Sequence, residues 1–177
     1  MEAFLISTGL VALGEMGDKT QLLTLVLAAR WRRPLPLIAG ILTATVLNHA
    51  AAGALGLWVA QAIGPDWMRW LVGLGFIGMA AWMLVPDALD DDSEVAERSH
   101  WGVFATTAMA FFMAEMGDKT QIATVALAAR FSDLWAVVAG STLGMMLANV
   151  PVVFLGDAMA RRVPMRLVHG TAAAIFA

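Results

Sequence analysis

Glu15-Met16-Gly17-Asp18-Lys19-Thr20 recurs without a change as Glu115-Met116-Gly117-Asp118-Lys119-Thr120. The match runs on through Gln21 and Gln121 to Leu27-Ala28-Ala29-Arg30 and Leu127-Ala128-Ala129-Arg130, always 100 residues apart. Both copies lie inside long apolar stretches. Ionisable side chains there are costly unless they are paired or put to use. The duplicated part of this chain is therefore its polar part, and that part carries the chemistry.

Outward from the hexamers, the composition is that of a membrane protein. Of 177 residues, 60% are hydrophobic and 14% charged, against about a quarter charged in soluble domains. The net charge of −3 matters less than where the charges fall. Absence of cysteine excludes disulfides, thiolate metal sites and cysteine nucleophiles. The N-terminal apolar run is too long for a cleaved signal peptide and contains the first hexamer, so it reads as a retained helix. No stretch is left for a soluble domain.

A span takes roughly 20 mainly apolar residues. Such segments cover 3–29, 35–62, 67–86, 101–129, 134–160 and 164 onward. Pro34, Pro36, Pro65, Pro86 and Pro164 punctuate the proposed ends, and Pro151 predicts a kink inside the fifth segment. The last segment is half a span, so the sixth helix is expected to be incomplete at Ala177. Three spans per half is an odd number, and consecutive halves then insert in opposite senses. We therefore expect an all-α membrane protein with six transmembrane helices, arranged as two inverted-topology three-helix repeats. The first repeat is 1–86, the second 101–177, and 87–100 is an acidic linker. Asp90-Asp91-Asp92 and Glu94 in that linker lack the spacing of an EF-hand loop. Fainter matches extend the repeat: Ala39-Gly40 with Ala139-Gly140, Gly56 with Gly156, and Leu47-Asn48-His49 with Leu147-Ala148-Asn149.

Arginines near the span ends set the orientation. Arg30, Arg32, Arg33, Arg98, Arg161, Arg162 and Arg166 fall on one side, Arg69 and Arg130 on the other. The richer side should be cytoplasmic, with the linker inside, both termini outside, and the bacterial inner membrane as the location. Trp31, Trp67, Trp101 and Trp135 suit the interfacial belts.

In an unbroken helix Glu15 and Asp18 share a face, Lys19 borders it and Gln21 extends it. Gly17 lets another helix approach and lowers the cost of unwinding. With the copies facing each other, Glu15, Asp18, Glu115 and Asp118 supply four negative charges, and Lys19 and Lys119 two balancing positive ones. The remaining two negative charges match one divalent cation or two protons. Candidate ligands are these four acids with Gln21, Gln121, Asn48 and Asn149. Thr20, Thr120 and His49 are candidates for a pathway or supporting role. An all-oxygen set suits hard ions such as Ca²⁺, Mg²⁺ and Mn²⁺. The bland reading is that each acid is neutralised by the lysine of its own hexamer, as buried pairs often are. His49 suits proton relay or plain helix packing, Asp157 an ion pair with Arg161, and Met16 and Met116 packing. Thr24 and Thr124 read as pathway residues or as donors to a backbone carbonyl.

At these hexamers the chain resembles the small membrane cation exchangers defined by two Glu-x-Gly-Asp-(Lys/Arg)-(Thr/Ser) motifs. That family has members in Golgi and chloroplast membranes and bacterial manganese exporters, and is placed in the lysine-exporter superfamily. The resemblance implies a secondary transporter, not an enzyme, carrying Mn²⁺ or Ca²⁺ against H⁺. It implies no permanent cofactor, and Glu15, Asp18, Glu115 and Asp118 as the cation-site acids. Manganese export by cation/proton antiport is the expected function, with Ca²⁺/H⁺ exchange as the alternative. A third alternative is a non-transporting assembly subunit. The expected partners are divalent ions, lipids and a second copy of the chain; nothing points to nucleic acid. A membrane enzyme would need a histidine-rich ligand set, a nucleophile constellation or a phosphate loop, and none is present.

Overall fold

The computed structural model describes residues 1–63, 65–82 and 102–160. They form seven α-helices and, among the described residues, no strand. In chain order these are α1 (Glu2–Glu15), α2 (Lys19–Trp31), α3 (Pro34–Ile63), α4 (Pro65–Trp82), α5 (Val103–Glu115), α6 (Lys119–Phe131) and α7 (Leu134–Ala160). Among the described residues, two stretches, Pro34–Ile63 and Leu134–Gly156, are long and apolar enough to cross a membrane. Large apolar side chains such as Leu13, Leu35, Trp58, Trp67, Trp70 and Trp135 stand exposed on the outside, as a surface bathed in lipid allows.

The segments 3–29 and 101–129, expected as continuous helices, are each two helices. α1 stops at Glu15 and α2 starts at Lys19; α5 stops at Glu115 and α6 starts at Lys119. The cause is local. Gly17 and Gly117 take φ of +82° and +76°, a left-handed backbone that costs a residue with a Cβ roughly 1–2 kcal/mol. The following Asp18 and Asp118 are extended, at φ −79° and −78°, and take the N-cap positions of α2 and α6, where aspartate is among the favoured residues. Glu15 and Asp18 therefore do not share the one helical face that their spacing suggests. They are brought together across a break.

At the far end of each broken pair the chain turns through Arg32 and Ser132, at φ +51° and +53°. Pro34, whose missing N–H costs nothing in a first turn, then opens α3. Pro151 lies inside α7, which continues past it.

The packing is reciprocal. α3, from the first half, lies chiefly against α5 and α6; α7, from the second, lies chiefly against α1 and α2. The contacts repeat at the 100-residue offset. Gly40 lies against Phe104 and Thr107, and Gly140 against Phe4 and Ser7. Gly56 meets Val125 and Ala128, and Gly156 meets Leu25 and Ala28. In the closest of these, the backbone of one helix occupies the space a Cβ would need, so glycine is what lets the long helices sit this near. A shared core of Leu23, Leu27, Leu37, Ile41, Phe111 and Val153 joins both halves. Each half thus clasps the broken helix of the other, and the two hexamers are carried to the middle of the bundle. The linker 87–100, the sixth segment and the Asp157–Arg161 pair lie outside what the described side chains cover.

Candidate cation site

Glu15 and Glu115, the last residues of α1 and α5, are fully buried. Thr20 Oγ1 donates to Glu15 Oε2 at 2.5 Å, and Thr120 Oγ1 to Glu115 Oε2 at 3.1 Å. The other carboxylate oxygens, Glu15 Oε1 and Glu115 Oε1, are buried with no hydrogen-bond partner among the described residues. Single oxygens of Glu15, Glu115 and Asp118 all lie within 4.8 Å of one another. Oxygens on opposite sides of an octahedral ion with bonds of about 2.1 Å are about 4.2 Å apart, and about 5 Å around Ca²⁺. The group has the dimensions of a metal's coordination shell. Two ionised carboxylates at such a separation repel by about 3–4 kcal/mol at an effective dielectric of about 20. Three of them therefore call for a cation or for protons.

Each lysine forms an ion pair with the aspartate of the other hexamer. Lys119 Nζ lies 2.7 Å from Asp18 Oδ1, and Lys19 Nζ 3.4 Å from Asp118 Oδ1. Both pairs cross between the halves. This replaces the pairing within each hexamer that helical spacing suggests, and the break is the reason: without a continuous turn, Lys19 no longer lies one turn above Glu15. Asp18, taken by Lys119, falls outside the close trio. The four equivalent acids expected from the sequence divide into three that cluster and one that is clasped.

The amides serve the frame. Gln21 Oε1 accepts from the Gly17 N–H at 3.0 Å, and Gln121 Oε1 from Gly117 at 2.7 Å, so both staple the break rather than join the trio. Gln21 Nε2 also donates to the Ala148 carbonyl at 3.1 Å. Asn48 Nδ2 donates to the Phe112 carbonyl at 3.1 Å, tying α3 to α5. Asn149 Nδ2 donates to the Met145 carbonyl at 3.2 Å, while its Oδ1 lies 2.7 Å from Thr24 Oγ1; its side chain also adjoins Glu15. Thr24 and Thr124 each donate to a carbonyl one turn back, at 2.8 Å. His49 is fully buried, and both ring nitrogens lack partners among the described residues. Met16 and Met116, read as packing residues, are exposed at 70% and 56%, because the breaks turn them outward.

The crossed pairs are what sequence reasoning missed. One signal was available: Gly-Asp-Lys-Thr is a helix-start pattern, with Asp as N-cap, and it placed a new helix inside the apolar run. N-termini of half-helices carry partial positive charge, and α2 and α6 both begin at the acids.

Known proteins resemble this chain along nearly its whole length. The family model described as "Divalent cation/proton antiporter GDT1" matches residues 3–91 and 103–177. A Vibrio cholerae protein named "Putative manganese exporter" is 48% identical over 99% of this chain and 87% of its own. A GDT1-like protein of Synechocystis is 28% identical, covering 92% of this chain and 87% of its own. The Saccharomyces cerevisiae protein named "Divalent cation/proton antiporter GDT1" is 21% identical, covering 99% and 81%. No solved structure matches. With nearly its whole length matched, both duplicated hexamers included, the chain belongs to the GDT1 family of divalent cation/proton antiporters: it is a membrane cation transporter, not an enzyme.

Proposed function

We propose that the chain exports Mn²⁺ from the cytoplasm in exchange for H⁺, through one site near the membrane midplane built from both hexamers. The observation that carries this is the buried trio of Glu15, Glu115 and Asp118 oxygens within 4.8 Å of one another. Across both hexamers four acids face two lysines, which leaves two negative charges for a divalent ion or two protons. Glu15 and Glu115 each hold a buried oxygen, without a hydrogen-bond partner among the described residues, that a cation would ligate when they are ionised and a proton would cap when the ion leaves. Asp118 completes the trio, Asp18 stays with Lys119, and Thr20 and Thr120 orient the glutamates. The relative named as a manganese exporter supports Mn²⁺ as cargo.

The same reading takes the broken helices and the two long ones as parts of six spans, in two halves of opposite insertion. It places 87–100 in the cytoplasm, both termini outside, and the protein in a bacterial inner membrane. Transported Mn²⁺, with Ca²⁺ as a second cargo, and H⁺ as counter-ion are its ligands; no resident cofactor is needed.

Proteoliposomes loaded with a manganese-sensitive dye test the coupling. Mn²⁺ uptake should speed up when the lumen is acidic, and each ion moved should carry protons the other way. Flux indifferent to the pH gradient overturns the antiport; Ca²⁺ flux that excess Mn²⁺ leaves untouched overturns manganese as the principal cargo.

A further inference from the structure

His49 breaks the likeness of the two halves where the long helices pass the carboxylates. Its counterpart 100 residues on is Asn149, which meets Thr24 and adjoins Glu15. Contacts on either side of His49 fix its level. Asn48 donates to the carbonyl of Phe112, three residues before Glu115. Gly53 and Gly56 pack against Ala128 and Val125 on α6. Between those contacts α3 passes the second break, so His49 lies level with the stretch from Glu115 to Thr124. Its side chain is fully buried, and neither Nδ1 nor Nε2 has a hydrogen-bond partner among the described residues. The neutral ring carries one N–H and one lone pair, and burying both unmet is unfavourable. Thr124, the counterpart of Thr24, gives its hydroxyl to the Thr120 carbonyl. A purely structural position would be served better by a hydrocarbon of similar volume.

We propose that His49 is a specificity-determining ligand, whose imidazole takes one position on the transported ion at the second-hexamer side and so favours Mn²⁺ over Ca²⁺ and Mg²⁺. This rests on the transport reading above and goes beyond it. Carboxylate and hydroxyl oxygens serve all three ions, whereas an imidazole nitrogen suits first-row transition metals and is a poor ligand for the hard alkaline-earth ions. The carboxylate trio alone offers little to tell Mn²⁺ from the far more abundant Mg²⁺ and Ca²⁺. His49 lies outside the trio's 4.8 Å group, at the level of the second break, so it completes the shell when the ion sits toward α3. Asn149, at the matching place on α7, gives the first-hexamer side only an amide. The asymmetry puts the discriminating donor on one face of the site.

The test is competition in proteoliposomes holding the full chain. His49→Asn, which gives both halves an asparagine at this position, should lower the preference for Mn²⁺ over Ca²⁺ about tenfold, through weaker Mn²⁺ affinity. An unaltered preference, or equal weakening of both ions, overturns the assignment. A second measurement needs no variant. Pulsed electron paramagnetic resonance of wild-type protein loaded with Mn²⁺ should show a directly bound nitrogen, and an all-oxygen shell overturns the proposal even if His49→Asn fails to fold. Wild-type vesicles that move no divalent ion overturn the transport reading itself, a result distinct from retained selectivity in the variant.

Discussion

Around the first hexamer, Asp18 is held by Lys119 at 2.7 Å and Thr20 is committed to Glu15 at 2.5 Å. Around the second, Lys19 stands 3.4 Å from Asp118, and Thr120 is spread between Glu115 at 3.1 Å and Asp118 at 3.5 Å. The residues are the same; the surroundings are not. The first hexamer faces α7, with Ala148 and Asn149, and the second faces α3, with Asn48 bonded to Phe112. Asn149 and the Ala148 carbonyl take up Thr24 and Gln21, while Gln121, among the described residues, bonds to its own break. Identical motifs thus acquire different duties from the long helix that crosses them. The first hexamer holds the closer ion pair, Asp18 with Lys119, and the second supplies two of the three clustered carboxylates.

The largest test of that difference sets Asp118 against Asp18. Asp118→Asn should weaken Mn²⁺ binding by more than roughly 100-fold, beyond what changing only the outer partners of a metal site costs. Asp18→Asn should cost about tenfold, within that outer range. Calorimetry on detergent-purified protein measures both, and equal losses would erase the distinction between the hexamers.

Stability should follow the opposite order of importance. Lys119→Met strands the buried Asp18 carboxylate, and breaking a buried pair costs about 3–5 kcal/mol. Lys19 is the more exposed partner, at 16% against 8% for Lys119, so Lys19→Met should cost clearly less. Thermal unfolding in detergent reads this, and the double variant Asp18→Lys with Lys119→Asp should recover part of the loss. A cycle in which the two changes simply add would mean that the pair across the halves contributes nothing.

Gly17→Ala and Gly117→Ala should each destabilise by roughly 1–2 kcal/mol, because a Cβ is strained at positive φ. No heavy atom lies within 4 Å of the Cβ position at either glycine, so backbone strain alone is at stake and the two should behave alike. Smallest is the contrast between Gln21→Ala and Gln121→Ala. The former loses one more hydrogen bond, so it should be about 1 kcal/mol worse. Equal melting temperatures would show that the bond to Ala148 carries no weight.

Much of the architecture was legible in the residues. The two stretches long and apolar enough to cross a membrane fall where uninterrupted hydrophobic runs place them, around 35–62 and 134–160. The faint repeat matches of Gly40 with Gly140 and Gly56 with Gly156 mark positions that the structure packs alike. The breaks were harder to see, because Met16-Gly17 leaves the run apolar and hydropathy does not register a backbone angle. Gln21, Gln121 and Asn48 looked like ligands because they are oxygen donors near acids. Their bonds in the structure are to backbone N–H and carbonyl groups, which sequence does not position.

What the sequence determined by itself is the inventory: a membrane-bound chain, duplicated, with four acids and two lysines that no lipid-facing position would tolerate, and the family to which such a pair of motifs belongs. The tertiary structure alone decided which lysine meets which aspartate, and that three carboxylates gather while the fourth is held apart. The reason is that a count of charges is fixed by the chain, whereas their interaction falls with distance, and those distances are set by helices packed across the two halves.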